Sequence, residues 1–290
     1  MNKLLKSEFI RLFKSNIFIF CLLFSAGLGI FMALLNLSTI DELIFSGFFD
    51  ITFVIAVFVS IFVGTDYSNG TIRNKIIVGH TRWNIYFSKL IVCAASDIIF
   101  HLVYILAVLI SGGLIIGGLT LSAEKIVFFT LVSSSSILAL TALLLFLSMT
   151  FQSKTAGAVI CILTILIMFY ASINIEEQLS EPEYYITYTS YDEDTDEITE
   201  IGEDKNPRYI SGKIRKLYEF LYNFMPVSQL YQLSEDDTKH SEDDTDISGY
   251  NTNISEHKTN NFKIIVMYDI ILIIAATGTG MVIFKLRNLN

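Results

Sequence analysis

The sequence predicts an all-α integral membrane protein with six transmembrane helices, and three observations support this fold class. Hydrophobic residues make up 52% of the 290 residues and charged residues only 17%, whereas a soluble domain carries about a quarter charged residues. The mean hydropathy is +0.55. The apolar residues are also gathered into runs of about 18 residues or more, which is the length that crosses a bilayer as a helix.

The first element is a basic segment, residues 1–16, that precedes the first apolar run. Four of its apolar residues repeat at helical spacing: Leu5, Phe9, Leu12 and Phe13. Lys3, Lys6 and Lys14 lie away from that stripe, which favours a short amphipathic helix in the membrane interface over a plain basic flank. A signal peptide is excluded because the following run is too long for an h-region and lacks a clear A-x-A site.

The predicted membrane spans follow in two groups and a final single helix, within 17–64, 90–173 and 262–284. The second span is the weakest of the six because Asp50 lies near its predicted outer end. The six spans are approximately Ile17–Leu35, Ser46–Gly64, Leu90–Leu119, Ile126–Met149, Thr155–Ile173 and Phe262–Phe284.

The lysines and arginines of the short loops alternate along the chain as an even number of spans requires. The basic loops contain Lys3, Lys6, Arg11 and Lys14, then Arg73, Lys75, Arg82 and Lys89, then Lys154, then Lys285 and Arg287 in the tail 285–290. Residues 36–45 contain no base, and the turn 120–125 contains only Lys125. This pattern predicts that both termini are cytoplasmic in a multi-pass protein of the cell membrane. The many lysines and isoleucines suggest a low-GC bacterium and therefore a plasma membrane.

An acidic segment, predicted to be external, separates the last two spans and spans residues 174–261. Residues 174–262 contain 21 acidic and 7 basic side chains, which accounts for the net charge of −9. Because the chain has no overall basic surface, nucleic acid is not an expected partner. The acidic stretches around 191–205 and 234–253 are predicted to be mobile. Between them, 209–233 is aromatic and helix-like with a break at Pro226, and is predicted to associate with the outer membrane face; a small folded external core is the alternative.

The loop 65–89 is the most informative segment, because two polar turns bracket an apolar and basic piece, Ile72–Val78. We expect a short helix there, capped by Asn69 or Thr71, and a second helix that begins at Thr81. A short helix on a tight loop can dock into a groove of a soluble partner. The alternative is an ordinary basic loop that only fixes topology.

This loop resembles the first cytoplasmic loop of ABC transporter permeases of the type-2 exporter class. The matching pattern is an acidic and aromatic start, an "NGT" turn, a basic helix, and an Arg and a Lys that lead into the third span. In this sequence the residues are Asp66, Tyr67, Asn69, Gly70, Thr71, Arg73, Asn74, Lys75, Gly79, His80, Arg82 and Lys89. The layout of an interfacial helix, six spans and a membrane-associated element before the last span is similar too.

The resemblance implies that 65–89 holds a coupling helix that sits in a cleft of a separate P-loop ATPase subunit. It also implies a dimer with a second copy or a similar permease. The chain itself contains no G-x-x-x-x-G-K-[ST] motif, so ATP hydrolysis is expected in the partner and not in this chain. The long acidic insertion departs from the family pattern, which leaves the external gate and the substrate class open.

Charged residues inside predicted spans raise the question of a functional site. Asp97 and His101 stand one helical turn apart in the third span, with Tyr104 on the same side. They are either a proton or cation site, or structural residues that bond to each other or to a neighbouring helix; the structural interpretation is favoured. Asp269 is expected near the outer end of the last span, where it either snorkels to the interface or pairs with Lys263.

The sequence predicts no catalytic, cofactor or metal site. The histidines show no metal-ligand spacing, and neither G-x-S-x-G nor H-E-x-x-H occurs. Cys21, Cys93 and Cys161 all lie in apolar stretches, which favours packing over a disulfide framework.

The function expected from these patterns is that of the membrane-spanning subunit of an ATP-driven exporter embedded in membrane lipid. Its expected cargoes are antimicrobial peptides, lipids or amphipathic drugs, and resistance to peptide antibiotics is the leading choice. An ion-driven secondary transporter would show charges in several spans and broken helices in two repeats. A membrane sensor with an acidic ligand-binding segment is the third alternative.

Overall fold

A computed structural model describes residues 1–35, 39–118, 122–151, 153–192, 197–235 and 262–286 of the chain. The described elements, in chain order, are α1 (Asn2–Phe13), α2 (Asn16–Leu35), α3 (Ile40–Ser68), α4 (Thr71–Ile77), α5 (Arg82–Ile115), α6 (Ala123–Phe151), α7 (Lys154–Ser180), β1 (Tyr184–Asp192), β2 (Glu197–Lys205), α8 (Gly212–Phe224), α9 (Pro226–Glu235) and α10 (Phe262–Leu286).

Six of the described helices are long and apolar enough to cross a membrane: α2, α3, α5, α6, α7 and α10. This confirms the six predicted spans and the all-α membrane fold class. The main difference lies in α3, which begins at Ile40, where the Thr39 side chain caps it by accepting a hydrogen bond from the Glu42 backbone N–H. Asp50 therefore lies ten residues inside the helix and not near its end.

The helix α3 forms the centre of the bundle and packs against α5, α6, α7 and α9. In the most apolar 18-residue stretch of each helix, 72% of α3 is buried inside the protein, compared with 22% of α7. Three buried phenylalanines of α3 fill the interior: Phe45, Phe48 and Phe58. The outer helices leave apolar side chains exposed, such as Leu23, Leu114 and Ile167, as expected for surfaces that face lipid.

The segment between α7 and α10 contains an antiparallel hairpin of β1 and β2, followed by α8 and α9. The described residues of the stretch around 191–205 thus form strands, which the sequence did not predict, while the mobility of that stretch stays a prediction. The sequence YYITYTSY of β1 is rich in aromatic and β-branched residues, which favour a strand, and this outweighs the acidic composition. The second acidic stretch falls on residues 234–253, of which 236–253 lie outside the described residues.

The short helix α9 inserts between α3, α6 and α7 and does not lie on the surface of the bundle. Val227, Leu230 and Leu233 are almost fully buried. The Ser228 hydroxyl lies 2.6 Å from the Ser172 hydroxyl of α7. The structure thus has a helix, a break at Met225 and Pro226, and a second helix over 209–233, with the second helix inside the protein.

Candidate functional site

The loop between α3 and α5 folds into a compact helical turn that projects α4 from one end of the bundle. Gly70 precedes α4 with φ +66°, and Gly79 follows it with φ +99°; both lie in the left-handed region that glycine adopts without steric cost. The His80 N–H donates to the Lys75 carbonyl across the end of α4 (3.1 Å), which is the hydrogen bond of a Schellman C-cap.

The caps of this loop follow the prediction in part. Thr81 caps α5, and its hydroxyl accepts a hydrogen bond from the Asn84 N–H (3.3 Å). The predicted capping of α4 by Asn69 or Thr71 is wrong. The N-cap residue is Gly70, which has no side chain that could accept a hydrogen bond. The Thr71 hydroxyl instead donates to the Asp66 carbonyl (3.0 Å), which ties the start of α4 to the end of α3.

Five charged side chains from four helices meet behind α4, and we call them the charge cluster: Glu8, Arg11, Asp66, Lys75 and Lys89. The Lys89 ammonium of α5 donates to Glu8 Oε2 of α1 (2.6 Å) and contacts the Asp66 carboxylate. The Lys75 ammonium of α4 contacts Glu8 and lies 3.5 Å from Asp66 Oδ2. The Arg11 guanidinium contacts Asp66 and lies 3.4 Å from Glu8.

The charge cluster is buried at its centre and partly open at its edge. Glu8, Asp66 and Lys89 are at most 1% exposed, whereas Lys75 is 16% and Arg11 is 31% exposed. Buried ions are tolerated only when they are paired and hydrogen-bonded. Burial by itself raises the pKa of Glu8, but Lys89, Lys75 and Arg11 together outweigh it and hold that pKa below its ordinary value.

An aromatic ring of α3 adds a further contact to the cations of the charge cluster. Arg11 Cζ lies 4.1 Å and Lys89 Nζ lies 4.9 Å from the centre of the Phe62 ring. These distances are within the range of cation–π attraction. The cluster therefore joins α1, α3, α4 and α5 through both charge and packing.

Of the residues quoted for the family resemblance, Asp66, Lys75 and Lys89 are brought together in the charge cluster. Glu8 and Arg11 were missed, because they lie in α1, far from the loop in sequence. One signal was present: Glu8 is the only acidic residue among the first forty. The buried face of α1 is Leu4, Glu8 and Leu12, which overlaps the predicted stripe only at Leu12.

Other loop residues anchor the same end to the remaining helices. The Tyr67 hydroxyl donates to the Met149 carbonyl of α6 (3.0 Å). The Arg82 guanidinium donates to the Phe284 and Lys285 carbonyls at the end of α10 (2.8 and 3.1 Å), which satisfies carbonyls that have no partner within the helix. The ends of α3, α6 and α10 and the start of α5 are thus joined at one end of the bundle.

The opposite side of α4 faces away from the protein, and we call it the docking face: Arg73, Asn74, Ile77 and Val78. All four side chains are exposed, Ile77 by 74% and Val78 by 77%. Positions four apart share one face of a helix, so these residues form one continuous patch. Asn69 and Gly79 are exposed beside it, and His80 is half-buried. The apolar pair Ile77 and Val78 was not among the predicted site residues.

The three residues of the candidate polar site of α5 make separate contacts, two with α6 and one with α3. Asp97 bonds to the Thr141 hydroxyl of α6 (2.7 Å), and His101 Nε2 bonds to the Ser133 hydroxyl (2.9 Å). The Tyr104 hydroxyl donates to the Leu43 carbonyl of α3 (2.8 Å). These bonds to neighbouring helices agree with the structural interpretation of the set.

Asp269 is placed differently from the expectation. Its carboxyl is 1% exposed and lies 2.5 Å from the Ser135 hydroxyl of α6, so it neither snorkels to the interface nor pairs with Lys263. The three cysteines are buried and free. Within the described part of the chain, no group of three or more His, Cys, Asp or Glu residues has the arrangement of a metal site.

A comparison with known protein families identifies the family of this chain. The family model described as "ABC-2 family transporter protein" matches residues 28–289. The chain belongs to the ABC-2 transporter family. No curated protein matches it. As an ABC-2 chain it is a multi-pass membrane permease component of an ABC transporter, and members of this family associate in general with an ABC ATPase.

Proposed function

We propose that this ABC-2 chain is the permease subunit of an ATP-driven exporter, and that α4 is the coupling helix that docks into a separate P-loop ATPase. One observation carries the proposal: a short helix projects from the bundle with the exposed docking face, which includes the apolar pair Ile77 and Val78, on one side and a buried charge cluster on the other. Exposed apolar patches of this kind mark interaction sites. The buried side supplies the mechanical connection that coupling requires.

The charge cluster supports a mechanism in which α4 moves together with the membrane helices. Because Lys75 contacts Glu8 and Asp66, α4 cannot shift without α1 and the end of α3. Lys89 extends the same contacts to α5. ATP binding that closes the partner would therefore push α4, α1, α3 and α5 as one body and change how they pack against α6, α7 and α10.

The proposed orientation places the docking face in the cytosol. The N-terminal helix α1, the α3–α5 loop, the α6–α7 turn and the end of α10 carry most of the bases in short loops, and such loops stay on the cytoplasmic side. Both termini would then be cytoplasmic, and β1, β2 and α8 would lie outside. The host membrane would be a bacterial plasma membrane.

For the cargo we propose an amphipathic molecule, with antimicrobial peptides as the leading choice and lipids or drugs as alternatives. The acidic external segment supports this choice, since many such peptides are cationic and the segment is strongly acidic. Deletion of residues 191–204 should lower resistance to cationic peptides; unchanged resistance would remove this choice of cargo. A second copy or a similar permease would complete the pathway.

The docking proposal is tested by purifying the tagged full-length chain from its native membrane and identifying the proteins that accompany it. A protein with a P-loop should co-purify with the wild type, and the double variant Ile77→Asp, Val78→Asp should retain about a tenth of it or less. Ile214→Asp is the matched control, because Ile214 is an apolar residue of α8 that is 58% exposed at the opposite end.

Two outcomes would contradict the proposal. If no P-loop protein accompanies the wild type, the chain does not work with a separate ATPase, and a secondary transporter or a sensor becomes the better interpretation. If the ATPase is retained equally by the double variant and by Ile214→Asp, the partner docks elsewhere.

A further inference from the structure

The helix α6 presents hydroxyl groups to two buried carboxyl groups that come from different helices. On one side the Thr141 hydroxyl lies 2.7 Å from Asp97 Oδ2 of α5. On the other side the Ser135 hydroxyl lies 2.5 Å from Asp269 Oδ2 of α10, and the Ser136 hydroxyl lies 3.4 Å from it. Both carboxyl groups are at most 1% exposed. These contacts connect α5 and α10 through α6.

Neither carboxyl group meets a cation among the described residues. The nearest base on α5 before Asp97 is Lys89, whose ammonium group is bound to Glu8 and Asp66. A carboxylate without a partner in an apolar interior is strongly destabilised. An ionised Asp97 would therefore have to be stabilised by a single hydroxyl, which is a weak compensation.

His101 does not supply the missing charge. Its Nε2 shares a hydrogen bond with the Ser133 hydroxyl, which itself donates to the Thr130 carbonyl (3.0 Å). A hydroxyl has one proton, so His101 Nε2 must be the donor to Ser133. Its Nδ1 has no hydrogen-bond partner in the described part of the chain. This is the pattern of a neutral imidazole and not of an imidazolium paired with Asp97.

The same proton count applies to the carboxyl contact of Asp97. The Thr141 hydroxyl lies within hydrogen-bonding distance of both Asp97 and the Ile137 carbonyl (2.8 Å). One hydroxyl proton cannot fully serve two acceptors. Both bonds form without competition when the carboxyl group carries the proton and donates to the hydroxyl, which then donates to the carbonyl. Asp269 differs, because the Ser136 hydroxyl and the Gln229 side chain contact it in addition to Ser135, so the count decides Asp97 alone.

We propose that Asp97 is an uncharged carboxylic acid that donates a hydrogen bond to Thr141, and that this bond positions α5 against α6. Asp97 is thus a positioning residue. A neutral bond of this kind can part and re-form while the helices change their packing, because neither partner is left as a buried ion. This inference does not depend on the docking of α4.

Infrared spectroscopy of the purified full-length chain in lipid tests the proposal at Asp97. The difference spectrum between wild type and Asp97→Asn at pH 7 should contain the carbonyl stretch of a protonated carboxyl group and lack the paired carboxylate bands. Carboxylate bands in that difference spectrum would overturn the proposal.

Thermal unfolding of the same samples provides an independent test. Asparagine has an N–H₂ group that can donate to Thr141 as the acid does, so Asp97→Asn should keep the Tm within about 1 °C, whereas Asp97→Ala should lower it by about 2 °C or more. Thr141→Val should also lower the Tm, while Thr164→Val should not, because among the described residues the Thr164 hydroxyl bonds within its own helix, to the Ile160 carbonyl. Equal losses for Asp97→Asn and Asp97→Ala would contradict the proposal.

Discussion

The helix α5 carries two buried polar regions that differ in their partners: carboxylates surround the first, and a hydroxyl contacts the second. At its start, the Lys89 amino group lies within ion-pair distance of the carboxylates of Glu8 and Asp66. Two turns later, the hydrogen-bond partner of Asp97 within the described part of the chain is a hydroxyl of α6. The first region lies at the end of the bundle, where Arg11 and Lys75 are still partly exposed, and the second lies in the interior.

The difference indicates which helices move together. The charge cluster connects four helices through ion pairs whose separation would leave a buried ion unpaired, and such separation is strongly unfavourable. The hydroxyl contacts of α6 are weaker, since interhelical hydrogen bonds within membranes contribute about 0.6 kcal/mol on average. We therefore expect α1, α3, α4 and α5 to move as one body at the charge cluster, and the contacts with α6 to rearrange.

The largest expected effect comes from Lys89→Met. This change leaves Glu8 and Asp66 buried without their central cation, and it should destabilise the protein by about 3–5 kcal/mol, measured by unfolding in mixed micelles. Lys14→Met is the control, because Lys14 is exposed and should change stability by less than about 0.5 kcal/mol. A loss at Lys89 no larger than at Lys14 would show that the cluster does not join the helices.

A smaller effect is expected from Glu8→Gln, and it should depend on pH. The pKa of Glu8 is held below its ordinary value in the folded protein, so its contribution is complete above the unfolded pKa of about 4.3 and is lost as the pH falls through the folded value. At pH 7 the variant should lose about 1.5–3 kcal/mol. The difference in Tm between wild type and variant should shrink as the pH falls below about 4.3; a difference that stays constant would contradict the role given to the carboxylate.

The smallest effect is expected in the interior, from Tyr104→Phe. The change removes the hydrogen bond to the Leu43 carbonyl and keeps the ring that packs against Gly47. We expect a loss of about 1 kcal/mol in the free energy of unfolding. If this neutral contact cost as much as Lys89→Met, the distinction between the two regions of α5 would fail.

The local features of the sequence predicted the fold well. The six spans follow from the length of the apolar runs, and the Thr81 cap of α5 follows from a side chain next to the helix it caps. The hairpin of β1 and β2 was missed because acidic composition was given more weight than the aromatic and β-branched residues of β1.

The site depended on contacts between residues that are distant in sequence. Glu8 and Lys89 are 81 residues apart, and Asp269 and Ser135 are 134 apart. The residues around each position contain no signal of these partners, since helix packing alone decides which faces meet. Pairing Asp269 with its near neighbour Lys263 was wrong for this reason.

The most direct test of coupling through α4 is site-specific photo-crosslinking in the native membrane. A photoreactive residue replaces Val78 on the docking face or, in a separate variant, Ile214 on α8. We predict a crosslinked product with a P-loop ATPase from position 78 and none from position 214. If position 78 yields no ATPase product, or if position 214 yields as much, α4 is not the element through which ATP drives this protein.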